Sequence, residues 1–308
     1  MDAGRHGQRR LPVRSDGASG TLMGGEAVAG GGLGLPLSLD MRERIEALIA
    51  LLRSPLSEYG FANLWLFRDR HDYRFVDGDL PHLIGRTYDG VRHAMPLVPI
   101  DAESAARLLD CVDCLYPLAD DALAQAGYDV RWNDDDADYV YRAETLAQLG
   151  GAKAKRAQAR AFEAEQAPIA EPLSDANLAA ARVVLDGWLA DVGRDPDATD
   201  LDACREALAR REALGLDGLL VTTGARAPAA FLLAGTNADG SRVVHFAKGR
   251  RIHAGAYPWM FARFAATCGV AIVNFEQDLG KPGFAQAKRA LAPMGQLRKY
   301  RASKRGGA

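Results

Sequence analysis

Residues 273–293 read VNFEQDLGKPGFAQAKRALAP, and they place two carboxylates, Glu276 and Asp278, two residues apart where the apolar run 271–275 gives way to a Gly-Lys-Pro-Gly turn. A strand through this run sends alternate side chains to one side, so both carboxylates are expected on one face at its C-terminal end. In open sheets ligands sit at that edge. A carboxylate pair there can hold a substrate ammonium through charge-assisted hydrogen bonds, and either group can take a proton from a nucleophile if its pKa is raised. A purely structural role is the competing reading: Asp278 caps the helix after Gly280, and Glu276 pairs with a nearby lysine.

A second chemical signal lies at 152–166, an Ala-rich, helix-favouring stretch in which Lys153, Arg156 and Arg160 fall at i, i+3 and i+7 on one face, with Lys155 beside them. Clustered Lys and Arg can pair with phosphate, or they can form a solvated face. His253, in the loop KGRRIHAGAYP, precedes a helix whose N-terminus can receive an anion. Cys111 and Cys114 form a lone C-x-x-C without a second pair or a histidine at ligand spacing. They read as helix-packed thiols, and no metal site is expected.

Composition limits what these residues can serve. The chain has 308 residues, 48% of them hydrophobic, which is enough for two ordinary domains. Its 38 basic and 40 acidic residues nearly cancel, so any anion binding must come from local patches. Four scattered cysteines suit a reducing cytoplasm, and no run approaches the roughly 18 apolar residues of a membrane helix. The Gly-rich, basic stretch 1–37 and the basic stretch 301–308 read as disordered tails.

Between the tails, the order of elements repeats. In 38–150, two helices precede three short strands, DYRFV, HLIGRTY and VRHAMPLV, separated by Asp-Gly turns. A helix through AESAARLLDCVDCL, another around ADDALAQAG and a strand in DYVYRAETL follow. A basic helical linker is expected at 151–172. In 173–300, two helices lead to strands at GLDGLLVTTG, APAAFLLAG and RVVHFAKG, then a helix, a strand at AIVNFEQDLG and a closing helix with Pro282 in its first turn. An antiparallel meander followed by a β-α-β crossover is the organisation of the GNAT acyltransferase fold. The expected class is therefore mixed α/β, with two GNAT-like units in tandem.

Three stretches, SEYGFANLWLFRDRHDYRF, DYVYRAETLAQLGGAKAKRAQARAFEA and VNFEQDLGKPGFAQAKRALAP, in this order, resemble the phosphatidylglycerol lysyltransferase C-terminal domain family over about 38–300. The family's Gly and Lys-rich run falls on Gly151, Lys153, Lys155 and Arg156, with Ala157 in place of its Asn and Phe162 as its closing aromatic. Its Asn-x-Glu-Gln-Asp-Leu-Gly falls on Asn274, Glu276, Gln277, Asp278, Leu279 and Gly280. Its Leu-Arg becomes Phe284 and Ala285, while Lys288 matches. The resemblance implies a tandem GNAT fold that moves an aminoacyl group from aminoacyl-tRNA to a phosphatidylglycerol-like phospholipid or to another hydroxyl or amine acceptor, with no separate cofactor. Catalysis is then expected at Glu276 and Asp278, and substrate binding at Lys153, Lys155, Arg156, Asn274, Gln277, Lys288 and His253.

Two other readings stay open. One is an acetyl-CoA-dependent N-acetyltransferase, although RRIHAGA sets Arg251 and Gly255 one residue too far apart for the pyrophosphate turn of CoA-dependent GNAT members. The other is a non-catalytic binding module for charged tRNA or a phosphorylated metabolite. The expected location is the cytoplasm, with peripheral contact at the inner membrane face where a phospholipid is the acceptor.

Overall fold

The computed structural model describes residues 34–306. Its strands form two seven-stranded mixed sheets with matching organisation. In the first, the order is Leu35–Pro36, Arg74–Val76, His82–Arg86, Arg92–Pro96, Cys114–Leu118, Tyr300–Ser303 and Asp129–Trp132. The first four are antiparallel; Arg92–Pro96 and Cys114–Leu118 are parallel, joined through the helix Ala102–Leu109. In the second, the order is Ile169–Pro172, Asp217–Thr222, Pro228–Thr236, Arg242–Gly249, Ile272–Asn274, Asp138–Arg142 and Gly295–Leu297. Again four antiparallel strands precede one parallel pair, Arg242–Gly249 with Ile272–Asn274, joined through the helix Ala256–Thr267. The fold is mixed α/β with two GNAT-like units, as the repeated order implies.

The sixth strand of each sheet comes from the other half of the chain. Asp138–Arg142 pairs antiparallel with Ile272–Asn274, and Tyr300–Ser303 pairs antiparallel with Cys114–Leu118. The units are thus not the contiguous blocks 38–150 and 173–300. The DYVYR strand leaves the first sheet for the second, and the strand completing the first crossover is Cys114–Leu118. That strand follows so closely on the apolar helix Ala102–Leu109 that the sequence merges the two. Cys114 is consequently buried in a strand while Cys111 is exposed, so they are not two thiols on one helix. The segment around ADDALAQAG is only a short 3-10 turn, Ala122–Ala124.

Other boundaries move too. Leu35–Pro36 is a strand and Leu37 is buried, so ordered chain begins ahead of 38; residues 1–33 of the expected tail lie outside the described residues. Tyr300–Ser303 extends order past 300, and Ile169–Pro172, placed in the linker by sequence, is a sheet edge. The basic helix itself forms at Lys153–Gln166.

Packing joins the halves. Ile45, Leu48, Phe61 and Leu64 from the N-terminal helices share one core with Phe75, Leu83 and Met95 of the first sheet and Phe231, Leu233 and Phe246 of the second. The other face of the second sheet packs on Phe162, Trp259, Met260 and Phe264, and that of the first on Leu108 and Leu109. Burying apolar surface at about 25 cal/mol per Å² across a shared core couples the two units. Among the described residues no helix is long and apolar enough to cross a membrane.

Candidate active site

The strand expected to carry both carboxylates stops at Asn274. Glu276 takes φ 57°, and Leu279 and Gly280 take φ 56° and 65°, so the chain turns through three left-handed residues. This breaks the period-two alternation, and Glu276 and Asp278 do not share a strand face. The Glu276 Oε1 accepts from Asn63 Nδ2 at 3.0 Å and pairs with His245 Nδ1 at 2.8 Å. Asp278, 2% exposed, accepts from Tyr139 Oη at 2.7 Å and from the Gly280 amide at 2.9 Å. It closes the turn at Gly280, not the helix that follows, Pro282–Arg289, whose N-cap position is Lys281.

Two more residues from the same motif hold this loop. Lys288 Nζ donates to the carbonyls of Phe275, Glu276 and Gln277 at 2.6, 3.0 and 2.6 Å, which uses all three ammonium donors. Burial lowers its pKa to about 8, against the pull of Glu276, Asp138 and Asp278. Asn274 accepts from the Glu276 amide at 2.7 Å and donates to Asp138 Oδ2 at 2.9 Å. A left-handed Glu is strained backbone, and these contacts determine it.

Beside the loop lies a fully buried charged cluster. Lys299 Nζ sits 2.6 Å from Asp138 Oδ1 and 2.6 Å from Glu58 Oε1, and donates to Gln277 Oε1 at 2.6 Å. Asp138 also accepts from the Ser57 amide and hydroxyl. Burial pushes the Glu58 carboxyl up to about 7; Lys299 opposes the rise and the charge of Asp138 adds to it. Burial alone would lower Lys299, but Asp138 and Glu58 outweigh it and raise its pKa.

Asn274, Glu276, Gln277, Asp278 and Lys288 therefore come together, joined by Ser57, Glu58, Asn63, Asp138, Tyr139, His245 and Lys299, which sequence reasoning did not single out. Two of the quoted stretches hold five of these seven, Ser57, Glu58 and Asn63 in SEYGFAN and Asp138 and Tyr139 in DYVYR. Two hollows flank the network. A cleft of about 490 Å³ is lined by Pro55, Leu56, Asp134, Arg298 and Tyr300, and a cavity of about 210 Å³ by Ser57, Gly60, Gly235, Asn237 and His245.

The basic helix stands apart from these contacts. Ala159 and Phe162 face the core, Lys153 and Arg156 are exposed, and Lys155 is half-buried. No ion pair forms between these three and an acidic residue among the described residues. His253 does not join Glu276; its ring packs edge-on to Phe162 of this helix, 6.2 Å between centroids, and desolvation followed by the charge of Arg250 lowers its pKa. Among the described residues no group of three or more His, Cys, Asp or Glu side chains is placed to hold a metal ion.

Two GNAT-like sheets around a buried polar centre are the architecture of acyltransferases, and the family makes the protein a transferase. The chain belongs to the phosphatidylglycerol lysyltransferase C-terminal family, whose model matches residues 49–303. A conserved protein of unknown function from Bacteroides thetaiotaomicron is similar in structure, with a TM-score of 0.76 and 22% identity over 88% of this chain and 98% of that one. L-PGS from Bacillus licheniformis superposes with a TM-score of 0.61 and 16% identity, covering 90% of this chain and 95% of that one. The C-terminal domain of a putative lysylphosphatidylglycerol synthetase from Agrobacterium fabrum gives 0.58 and 14%, covering 87% and 93%. No curated protein matches the chain significantly in sequence.

Proposed function

We propose that the protein transfers an aminoacyl group from an aminoacyl ester, with aminoacyl-tRNA as donor, to a hydroxyl acceptor on an anionic phospholipid. One observation carries this reading: the polar centre holds the carboxylates of Asp138, Glu276 and Asp278, with the Glu58 carboxyl beside them, against the two ammonium groups of Lys288 and Lys299. Such an excess of negative charge, away from bulk water, favours a substrate that brings a positive charge of its own. An α-ammonium or lysyl ammonium supplies one, whereas an acetyl group does not.

The basic helix supports the same reading. Its N-cap position is Ala152, which provides no side-chain acceptor, and Lys153 and Lys155 stand in its first turns. Cations there oppose the helix dipole, so their placement favours an external anion over helix stability. A phosphodiester of tRNA or a lipid headgroup fits.

Acetyl-CoA fits less well, since both helices that follow a meander have occupied N-termini. Asp101 accepts from the Ser104 amide at 2.8 Å in the first unit. In the second, the Ala256 amide already donates to the His253 carbonyl at 3.1 Å, and Gly255 packs against the carbonyl of Gln158. A pyrophosphate needs those amides open.

The test incubates the protein with radiolabelled lysyl-tRNA and phosphatidylglycerol vesicles, beside a parallel assay of acetyl-CoA consumption. Label should enter the lipid fraction with no release of free CoA. Replacing Lys153, Lys155 and Arg156 together by Ala should raise the KM for the anionic substrate and flatten its salt dependence. Release of CoA without lipid labelling would establish the acetyltransferase reading instead.

A further inference from the structure

The 210 Å³ cavity holds a histidine that the sequence did not single out. The His245 side chain is 4% exposed, and its Nδ1 lies 2.8 Å from Glu276 Oε1, which also accepts from Asn63. A carboxylate holding two donors accepts and does not donate, so the imidazole proton belongs on Nδ1 and Nε2 is left with a free lone pair. Nε2 has no partner among the described residues. Gly235 also lines the cavity, and a Cβ built on it would stand 3.0 Å from Nε2. The missing side chain leaves the nitrogen open.

Asn237 contributes to the wall of the same cavity and is 4% exposed. Its Nδ2 donates to the carbonyls of Ser54 and Leu56, which fixes the amide orientation, and its Oδ1 has no donor. A buried acceptor without a partner is costly unless something completes it. The volume equals about seven times the share of one liquid water molecule, enough for the end of a polyol.

We propose that His245, oriented by Glu276, is the general base of the transfer, and that the cavity takes the hydroxyl-bearing end of the acceptor. The inference rests on the acyl-transfer reading above. The acceptor hydroxyl gives its proton to Nε2 as its oxygen bonds to the ester carbonyl carbon. The tetrahedral intermediate then expels the donor's ribose oxygen, which takes the proton back from the imidazolium. A second hydroxyl of a polyol donates to Asn237 Oδ1. Glu276 is then a positioning residue that sets the tautomer, and Asn63 fixes Glu276 in turn.

Lysyl transfer to phosphatidylglycerol vesicles, measured for wild type, His245→Gln and Gly235→Ala, is combined with 15N NMR of the imidazole in the full chain without substrate. His245→Gln should lower kcat by about 100-fold or more, the usual worth of a general base, with the KM for the donor changed less than about threefold. Gly235→Ala should lose kcat similarly in protein that remains folded by circular dichroism, because its methyl crowds Nε2. The NMR should find the proton on Nδ1 and a shift confined to Nε2 when glycerol is added as a small hydroxyl probe. Retention of kcat in His245→Gln, a proton on Nε2, or no glycerol response would each overturn the proposal. If wild type transfers nothing from this donor, the acyl-transfer reading fails by itself, and the tautomer and glycerol response still decide whether the dyad serves a hydroxyl ligand.

Discussion

Asp138 and Lys299 meet where the two exchanged strands part company: Asp138 opens the strand given to the second sheet, Lys299 immediately precedes the strand given to the first, and Oδ1 lies 2.6 Å from Nζ with neither side chain exposed. The pair ties the crossover to the substrate loop, since Asp138 also takes a hydrogen bond from Asn274 and Lys299 gives one to Gln277. Removing the ammonium leaves two buried carboxylates without their cation. Lys299→Met should therefore cost about 3 to 5 kcal/mol of stability, the range found on breaking a buried ion pair. Denaturant titration at pH 7 measures it. A loss below about 1 kcal/mol would mean that the crossover does not depend on this pair.

Glu58 makes stability depend on pH. Its folded-state pKa is raised to about 7 from an ordinary value of 4.5, so between these values the folded protein holds a proton that the unfolded chain has released. The contribution is fully present below about pH 4.5 and is lost as pH rises through 7, by about 3 kcal/mol at most. Glu58→Gln keeps an oxygen for Lys299 and removes the titration. Across this window, the fall in stability with rising pH should be shallower in the variant than in wild type, as read by urea unfolding at several pH values.

Asp278 separates a structural from a substrate role. Asn can still accept from the Gly280 amide with its oxygen while its amide nitrogen donates to the Tyr139 hydroxyl, so Asp278→Asn should cost less than about 1 kcal/mol. Asp278→Ala leaves the buried tyrosine hydroxyl and the turn amide without a partner and should cost about 2 to 3 kcal/mol. Thermal unfolding of both variants gives the comparison. Equal costs would show that the negative charge, and not the hydrogen-bonding pattern, is what Asp278 contributes.

Local signals carried much of the fold. The meander of Asp217–Thr222, Pro228–Thr236 and Arg242–Gly249 was readable because long apolar runs end at Gly-rich turns, with Gly240 at φ 85° in the last. The strand exchange was not, because pairing partners of Asp138–Arg142 lie 130 residues or more away and its apolar alternation suits either sheet equally. Cys114–Leu118 was hidden by the continuous apolar character of the helix before it. At the site, NFEQDLG drew attention to Glu276, but its left-handed backbone could not be seen in a motif that reads as a strand. Lys299 looked like one more charge leading into the basic tail, and its burial depends on Asp138 and Glu58, brought from the other half. His245 sits at an ordinary strand position, and only the fold places it against Glu276.

The central claim, that the carboxylate-rich centre selects a positively charged acyl group, is tested most directly by calorimetric titration of lysine methyl ester against its diacetylated, uncharged counterpart, in wild type and in Glu276→Gln. The account predicts that wild type binds the charged ester at least about tenfold more tightly, and that Glu276→Gln, which removes one negative charge from the centre without removing a substrate contact, narrows that preference. Equal binding of the two esters by wild type would contradict it.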